Sequence, residues 1–291
     1  MKGIILAGGY GTRLLPMTNS ISKQMLPIYD KPMVYYPLSI LMLAGVRDVL
    51  VISTPKDIND YKSLLENGKR FGLNLDYVVQ DNPGGLAQAL ILGEEFLGGE
   101  CCTLILGDNL FHGRGISRFL QDAARGIEER GGAHLFAARV TDPSRYGIAT
   151  VDADDKIVGI VEKPELPESN LAVTGLYMYD GSASSRAKDL VPSPRGELEI
   201  TDLNMSYVEG GGATLSTFER GVTWLDTGTP DSLHSASSYV HAVQSNTGVM
   251  IGCLEEVGWR MGFIDDLELI DSIRHYPEGN SYGDYVRALV G

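Results

Sequence analysis

Glycines and two cations lie close together near the start of the chain. Residues 8–13 read GGYGTR directly after a short apolar run, and Lys23 follows ten residues after Arg13. Glycines let backbone N–H groups approach an anion, Arg13 offers a planar fork for phosphate oxygens, and Lys23 adds a mobile point charge. A glycine triplet alone is more often a tight turn between solvated cations. If the rest of the chain agrees, the pattern predicts a polyphosphate site formed by Gly8, Gly11, Thr12, Arg13 and Lys23.

Two common phosphate loops do not fit this stretch. A dinucleotide fingerprint beginning at Gly9 would need a small residue where the chain has Leu14. A Walker loop needs Gly-Lys-Ser or Gly-Lys-Thr after its last glycine, whereas Thr12 and Arg13 follow Gly11. The sequence therefore argues against both a dinucleotide-dependent dehydrogenase and a P-loop ATPase.

Two aspartates each follow an apolar run. Asp108 comes after residues 104–106 and one glycine, and Asp226 comes after residues 222–225. Carboxylates at strand ends, completed by phosphate oxygens and water, can hold Mg²⁺. The structural alternative is that Asp108 starts a turn and that Asp226 or Thr229 caps a helix that begins near Pro230.

These residues require a sheet whose strands end at one edge. Up to about residue 140, short apolar runs alternate with longer helical patterns, which is typical of a mostly parallel sheet covered on both faces. Strands are predicted at 3–7, 48–53, 75–79, 103–106 and 134–140, and helices at 32–44, 57–67, 86–96 and 116–130. Because ligands bind outside the carboxyl ends of such strands, the glycine loop and Asp108 are expected to meet.

Beyond residue 140 the pattern changes. Short β-like runs at 147–151, 156–161 and 173–179 are separated by turns, which predicts an antiparallel insertion. A helix at 198–209 and a strand at 221–225 follow, and helical patterns dominate from residue 229. The predicted fold class is α/β, with a Rossmann-like, mostly parallel central sheet flanked by helices, an antiparallel β insertion and a C-terminal helical appendage.

Composition limits the class of ligand and the setting. The 291 residues carry a net charge of −14, and this argues against a nucleic acid polymer as ligand, because phosphate backbones need a basic face. Three cysteines, Cys101, Cys102 and Cys253, indicate reduced thiols in a reducing compartment. No apolar run approaches the ~18 residues needed to span a membrane. We therefore predict a cytoplasmic protein that binds neither membrane nor nucleic acid.

Several motifs follow one another in an order that is far more specific than any single one. They are LAGGYGTRLLP at the N-terminus, SKQMLP after it, GLAQA at 85–89, LGDN at 106–109, EKP at 162–164, RGELEITD at 195–202 and WLDTGT at 224–229. Together they resemble the sugar nucleotidylyltransferases, and within that family the branch that joins dTTP and glucose 1-phosphate. The resemblance implies release of pyrophosphate after attack of the sugar phosphate on the α-phosphate of dTTP, with Mg²⁺ assistance.

The resemblance also implies roles for individual residues. The catalytic set is Arg13, Lys23 and Lys163, and the metal ligands are Asp108 and Asp226. The nucleotide-binding set is Gly8, Gly11, Thr12, Arg13, Lys23, Gln24, Gln80, Gly85 and Asp108. The sugar-phosphate-binding set is Asn109, Tyr146, Gly147, Glu162, Lys163, Val173, Arg195 and Trp224. Arg260 is a regulatory residue in this interpretation, although an arginine on a helical tail is usually just solvated.

The choice of nucleotide depends on the base-binding residues and on two positions at which this chain differs from the family pattern. A side-chain amide at Gln80 can donate to and accept from one edge of a pyrimidine, and Gly85 leaves room beside it. Gln24 matches the branch that uses dTTP, where relatives that use UTP tend to have glutamate. Gly84 replaces an aspartate that is common in the family, and Tyr10 replaces a small residue.

The resemblance further implies a division of the chain and an assembly. Residues 1–228 would form the catalytic domain, with 1–140 mainly nucleotide-binding and 141–228 mainly sugar-phosphate-binding. Residues 229–291 would form an appendage for oligomerisation or regulation of a homotetramer. The alternatives are a glucose-1-phosphate uridylyltransferase that uses UTP, and a non-catalytic nucleotide-sugar sensor.

Overall fold

A computed structural model of the chain describes residues 1–290. In chain order the strands are β1 (Lys2–Leu6), β2 (Pro27–Ile28), β3 (Lys31–Pro32), β4 (Asp48–Ser53), β5 (Asn74–Val79), β6 (Cys102–Leu106), β7 (Asn109–Gly113), β8 (Ala133–Arg139), β9 (Gly147–Val151), β10 (Ile157–Glu162), β11 (Leu171–Tyr179), β12 (Ala213–Thr217) and β13 (Val222–Asp226). The helices are α1 (Tyr35–Leu43), α2 (Ile58–Leu65), α3 (Gln88–Leu92), α4 (Glu94–Leu97), α5 (Ile116–Arg130), α6 (Ala183–Lys188), α7 (Ile200–Glu209), α8 (Pro230–Thr247), α9 (Leu254–Arg260), α10 (Asp266–Ser272) and α11 (Ser281–Arg287).

A nine-stranded sheet forms the centre of the molecule. Strands β6, β1, β4 and β5 lie side by side and are all parallel, so their carboxyl ends share one edge. Strand β11 pairs antiparallel with β6 and with β8 and β9, and β10 and β12 complete the sheet. The predicted parallel sheet is confirmed for the strands that carry the glycine loop and Asp108, and the strands of the predicted antiparallel insertion join that same sheet.

Helices cover both faces of this sheet. Successive side chains of a strand point to opposite faces, and β1 shows it: Ile5 packs with Leu41 of α1, whereas Ile4 packs with Leu90 of α3 on the other face. All four of these side chains are buried. A continuous apolar strand such as β1 is therefore the sequence pattern of a sheet buried on both sides.

One predicted helix, residues 86–96, is wrong as a single element. The structure divides it at Gly93 into α3 and α4. A Cβ at Gly93 would lie 2.8 Å from Cδ1 of Ile4, so the chain passes too close to β1 for a larger residue. The close approach to Ile4 therefore requires glycine at the residue where the two helices meet.

The helices after residue 229 share the core of the rest of the chain. Thr229 caps α8 by accepting from the Ser232 backbone N–H at 3.2 Å, and Pro230 occupies the first turn. Leu254 of α9 and Leu269 of α10 are buried in the same cluster as the α1 side chains. Among residues 1–290, no helix combines the length and apolarity that crossing a membrane requires.

Candidate active site

The glycine loop follows β1 at the carboxyl edge of the sheet. Gly9 has φ +94° and Gly11 has φ +57°, both in the region that favours glycine. A Cβ at Gly8 would lie 2.7 Å from Oε1 of Gln80, so Gly8 is tightly packed as well. The loop bounds a cavity of about 200 Å³, which we call the loop cavity. Its lining residues are Gly8, Gly9, Gly11, Thr12, Arg13, Lys23, Gln24, Asp108 and Gly228.

An ion pair between Lys23 and Asp108 crosses the loop cavity. Lys23 begins a short 3-10 helix and its ammonium contacts Oδ2 of Asp108, which follows β6. The second carboxylate oxygen, Oδ1, accepts from Nδ2 of Asn109 at 2.8 Å. Burial opposes ionisation of Asp108, but the Lys23 charge and these hydrogen bonds outweigh it and lower the pKa of Asp108. Asp108 is therefore an ionised, well-oriented carboxylate.

Asp226 lies next to Asp108 because of a second, smaller sheet. Strand β13 pairs antiparallel with β7, and this places Asp226 directly opposite Asn109. Burial raises the pKa of Asp226, and the neighbouring Asp108 carboxylate raises it further. Nη2 of Arg145 is 3.9 Å from Oδ2 of Asp226. The two carboxylates repel each other, so a cation placed between them would relieve the repulsion.

A second cavity, which we call the sugar-side cavity, opens on the other side of these aspartates. It has a volume of about 320 Å³. It brings together all eight residues of the predicted sugar-phosphate-binding set: Asn109, Tyr146, Gly147, Glu162, Lys163, Val173, Arg195 and Trp224. Arg13 and Asp108 line both cavities. Ligands in the two cavities would therefore meet at Arg13 and Asp108.

Charged side chains in the sugar-side cavity are already oriented by partners. Glu162 accepts from Nζ of Lys163 at 2.6 Å and from the Thr201 hydroxyl at 2.8 Å. Arg195 donates to both oxygens of Glu199, at 2.9 and 3.0 Å. Lys163 has φ +44°, which is unfavourable for a residue with a side chain and is common where function fixes the backbone.

Trp224 connects the sugar-side cavity to Asp108. Its indole Nε1 donates to Oδ1 of Asn109 at 2.6 Å, and the same oxygen accepts from the Gly175 backbone N–H at 3.1 Å. Both donors are obligate, so the Asn109 amide must direct Nδ2 at Asp108. The Tyr146 ring lies 5.1 Å from the Trp224 ring. Trp224 thus positions Asp108 through Asn109.

Replacing Trp224 with phenylalanine should lower kcat by about tenfold, because Asn109 loses one of two donors and holds Asp108 less firmly. The KM for the nucleotide should change less than kcat, since Trp224 itself does not line the loop cavity. Steady-state kinetics with both substrates would measure the two effects. Trp259→Phe is the matched control, because Trp259 donates to Asp266 and lines neither cavity. Equal kcat values for both variants would contradict the coupling.

Gln24 and Gln80 are both buried beside the glycine loop. Oε1 of Gln24 accepts from the Ser22 hydroxyl at 3.0 Å and from the Tyr61 hydroxyl at 3.3 Å. Its Nε2 lies 3.4 Å from the Gly8 carbonyl oxygen. These contacts fix the Gln24 amide, and the Tyr61 hydroxyl links it to the core.

The segment before α3 folds against the RGELEITD motif. Gly85 has φ +97°, and a Cβ there would lie only 2.3 Å from the Leu198 carbonyl oxygen. Leu198 also donates its backbone N–H to the Gly84 carbonyl oxygen at 2.8 Å. Glycine at position 85 therefore leaves room for the Leu198 backbone. This is a second physical reason for glycine there, beside the space that a base would need.

Gly85→Ala should lower the free energy of unfolding by about 2 kcal/mol or more, because it combines left-handed strain with a backbone collision. Gly45→Ala provides the matched control: Gly45 has φ +91° with nothing within 4 Å of its Cβ position, so only the strain remains. Urea denaturation of both variants would measure the difference. Equal losses would show that Leu198 moves aside freely.

The structure adds residues to the site that the sequence did not single out. Arg145 lines the sugar-side cavity near Asp226, and Thr201 orients Glu162. Arg145 directly precedes Tyr146, which was predicted as a sugar-phosphate-binding residue, so its place in the sequence could have indicated its role. Gln88 lies in the GLAQA motif, but its contacts depend on the tertiary fold.

Two further predicted positions lie on the surface. The Arg260 side chain is 60% exposed, and it donates to Glu256 at 2.6 Å. This is the ordinary geometry of an i,i+4 ion pair on a helix. Tyr10 is 69% exposed at the tip of the glycine loop. The regulatory role of Arg260 remains a prediction.

Comparisons with known proteins agree with this geometry. A family profile described as "Nucleotidyl transferase" matches residues 2–243. A curated protein of Xanthomonas campestris named glucose-1-phosphate thymidylyltransferase is 51% identical over 289 residues, covering 99% of this chain and 97% of that protein. One of the same name from Neisseria meningitidis is 50% identical and covers 100% and 99%.

Solved structures show the same likeness. A structure described as a putative glucose-1-phosphate thymidylyltransferase of Bacillus anthracis in complex with a sucrose has a TM-score of 0.76 and 40% identity, covering 82% of this chain and 94% of that chain. UDP-glucose pyrophosphorylase complexed with UDP-glucose has a TM-score of 0.73 and 26% identity, covering 83% and 98%. The glycine loop, the paired aspartates, the family profile and the full-length relatives lead to one conclusion: the chain belongs to the nucleotidyl transferase family.

Proposed function

We propose that this protein transfers a deoxythymidylyl group from dTTP to α-D-glucose 1-phosphate, giving dTDP-glucose and pyrophosphate. The observation that carries the proposal is the junction at Arg13 and Asp108, which line both the loop cavity and the sugar-side cavity. A triphosphate in the first cavity and a sugar phosphate in the second would meet there. The names of the full-length relatives support the choice of both substrates.

The reaction needs no protein nucleophile and no general base. The second pKa of a phosphate monoester is about 6, so the sugar phosphate is largely a dianion at neutral pH. The protein must hold two anions in line and stabilise charge on the α-phosphate and on the departing pyrophosphate. Positioning and electrostatic stabilisation therefore account for catalysis.

The glycine loop and its cations would hold the triphosphate. Arg13 is exposed at the mouth of the loop cavity, with its guanidinium beside Gly228, and so it can reach a ligand in either cavity. Lys23 is held inside by Asp108. Backbone N–H groups around Gly11 and the two side-chain cations would neutralise the growing charge on the leaving group. Each such group contributes about 3 kcal/mol in comparable sites.

Asp108 and Asp226 fit a Mg²⁺ site. They are two oxygen-ligand side chains from adjacent strand ends, and burial together with repulsion from Asp108 raises the pKa of Asp226. When bound, Mg²⁺ would supply charge neutralisation between the two phosphate groups. Asn109 and Lys23 orient Asp108 for this role, and Arg145 lies near Asp226.

The sugar-side cavity would bind glucose 1-phosphate. Among the cations that line it, Lys163 and Arg195 would bind the phosphate, and Glu162 would accept from sugar hydroxyls. Tyr146 and Trp224 offer ring surface beside Gly147, whose lack of a side chain lets a hexose approach the backbone. Binding here would exchange the Lys163–Glu162 pair for contacts with the ligand.

The nearest alternative is a uridylyltransferase on the same fold. The similarity to UDP-glucose pyrophosphorylase complexed with UDP-glucose supports this alternative. Thymine and uracil present the same hydrogen-bonding edge, so Gln80 does not distinguish them. Our assignment of dTTP rests on Gln24 and on the names of the relatives.

Pyrophosphate release from purified protein tests the proposal. Reactions with Mg²⁺ and dTTP, UTP, ATP, CTP or GTP would each be run with and without α-D-glucose 1-phosphate. We expect release that depends on the sugar phosphate and is fastest with dTTP. If release were fastest with UTP, the proposed mechanism would stand, but the nucleotide substrate would be UTP and not dTTP. No release from folded protein with any pair would contradict the proposal and favour a nucleotide-sugar sensor.

Three broader assignments belong to the same proposal. Residues 1–228 form the catalytic part, with nucleotide contacts mainly before residue 141, and residues 229–291 serve oligomerisation or regulation. The assembly is a homotetramer, which light scattering that detects only monomer would contradict. The setting is a reducing cytoplasm, in keeping with the free thiols of Cys101, Cys102 and Cys253.

A further inference from the structure

Gln88 is the first residue of α3, and its side chain reaches back over the segment before the helix. Its Oε1 lies 2.9 Å from the Gly84 backbone nitrogen. Because a backbone N–H can only donate, the Gln88 atom at this distance must be the carbonyl oxygen of the amide. The orientation of the Gln88 amide is therefore fixed by the main chain.

The same oxygen fixes the amide of Gln80. Nε2 of Gln80 donates to Oε1 of Gln88 at 2.7 Å. A flipped Gln80 amide would set two carbonyl oxygens against each other, so this orientation is the only favourable one. Oε1 of Gln80 consequently points away from Gln88 and lies beside Gly8, 2.7 Å from the position of a Cβ there. Within residues 1–290 this oxygen accepts no hydrogen bond, so it is available to a ligand.

Glycine at position 84 makes this arrangement possible. A Cβ at Gly84 would lie 2.8 Å from Cδ, Oε1 and Nε2 of Gln88, so any side chain there would displace the Gln88 amide. The Gly84 carbonyl oxygen accepts from Leu198 at 2.8 Å, which ties the segment to the sugar-side half of the site. Gly84 is thus held by hydrogen bonds at both its backbone N–H and its carbonyl oxygen.

We infer that Gln88 is a specificity-determining positioning residue, which locks Gln80 so that its carbonyl oxygen is presented to the base. This inference rests on the proposed function, because it takes Gln80 as the residue that reads the base. A fixed acceptor selects a ring N–H, which thymine and uracil carry at N3. Cytosine has an unprotonated N3, so its lone pair would face the Gln80 oxygen. Gln88 thereby rejects cytosine without touching the base.

The energetic reason is the asymmetry of hydrogen bonding. A matched hydrogen bond adds modestly to affinity, whereas two buried acceptors facing each other leave both unsatisfied. A site built around a fixed acceptor therefore discriminates mainly by penalising the wrong base. If Gln80 could rotate, its Nε2 would satisfy cytosine and the penalty would disappear.

Two substitutions at Gln88 separate the locking role from bulk. Gln88→Met keeps the length of the side chain and removes the acceptor, so Gln80 can flip. Gln88→Glu keeps acceptors for both Gly84 and Gln80, although its charge should weaken every nucleotide alike. Calorimetric titration with dTTP and with dCTP, without sugar phosphate, would give the ratio of dissociation constants for each protein. We expect the preference for dTTP to fall by about tenfold in Gln88→Met and to persist in Gln88→Glu.

An unchanged ratio in a folded Gln88→Met would overturn the inference, as would a wild-type protein that binds dTTP and dCTP equally. The wild-type protein alone offers a second test with N3-methylated dTTP, which lacks the ring donor and should bind at least about tenfold more weakly than dTTP. Equal binding of the two would also overturn it. Because these are binding measurements, selective binding without pyrophosphate release would refute the proposed reaction and leave the role of Gln88 standing.

Discussion

Replacing Lys23 with alanine is expected to lower kcat for dTDP-glucose formation by about a hundredfold or more. Lys23 is buried, it contacts Asp108, and it lines the cavity next to the glycine loop. Its ammonium would stabilise charge that develops between the α-phosphate and pyrophosphate, where water screens poorly. The loss should therefore appear in kcat as well as in nucleotide binding.

The control for this experiment is Lys188→Ala. Lys188 pairs with Glu94 on the surface, and both side chains are about half exposed. Removing this pair should leave kcat within twofold of wild type, because exposed ion pairs contribute about 0–1 kcal/mol to stability and this one lies outside both cavities. Thermal unfolding of both variants would show whether they are folded. Near wild-type turnover in a folded Lys23→Ala protein would refute the assigned role.

Asp108→Asn should lower kcat by about a thousandfold. The amide keeps the shape of the side chain, but it cannot balance the Lys23 charge or serve as an anionic metal ligand. The pKa of Asp108 is lowered in the wild type, so the carboxylate is ionised at neutral pH and its charge is what the substitution removes. Steady-state kinetics would measure the loss, and Mn²⁺ binding by electron paramagnetic resonance would report the metal site separately.

Asp122→Asn is the matched control, because Asp122 is a solvent-exposed aspartate that pairs only with arginines of its own helix. It should change neither kcat nor Mn²⁺ affinity. If Asp108→Asn bound Mn²⁺ as tightly as wild type and kept its turnover, Asp108 would be a structural residue that merely holds Lys23.

The residues at strand ends could be predicted because local pattern determines them. An apolar run buried on both faces indicates an interior strand, and Asp108 lies just beyond one such run. Asp226 was predicted by the same logic and is the last residue of β13. The position of Asp226 opposite Asn109 could not be predicted in this way. Strand β7 is short and mixed in polarity, and its pairing with β13 joins segments far apart in the chain.

The amide network beside the base could not be predicted for a related reason. GLAQA is visible as a motif, but the role of Gln88 depends on the Gly84 N–H and on the Gln80 side chain, which the fold brings together. The close approach of Gly93 to Ile4 likewise joins residues far apart in the chain. Local sequence indicates which groups are available, and long-range packing decides which of them touch.

The most direct test of the central claim is the stereochemical course at the α-phosphorus. The account has the sugar phosphate in the sugar-side cavity displace pyrophosphate in a single in-line step at the Arg13–Asp108 junction. With dTTP that carries a chiral thiophosphate at the α-position, it predicts a thiophosphate analogue of dTDP-glucose with inverted configuration at that phosphorus. Retention would reveal two displacements through a nucleotidylated protein residue and would contradict direct transfer.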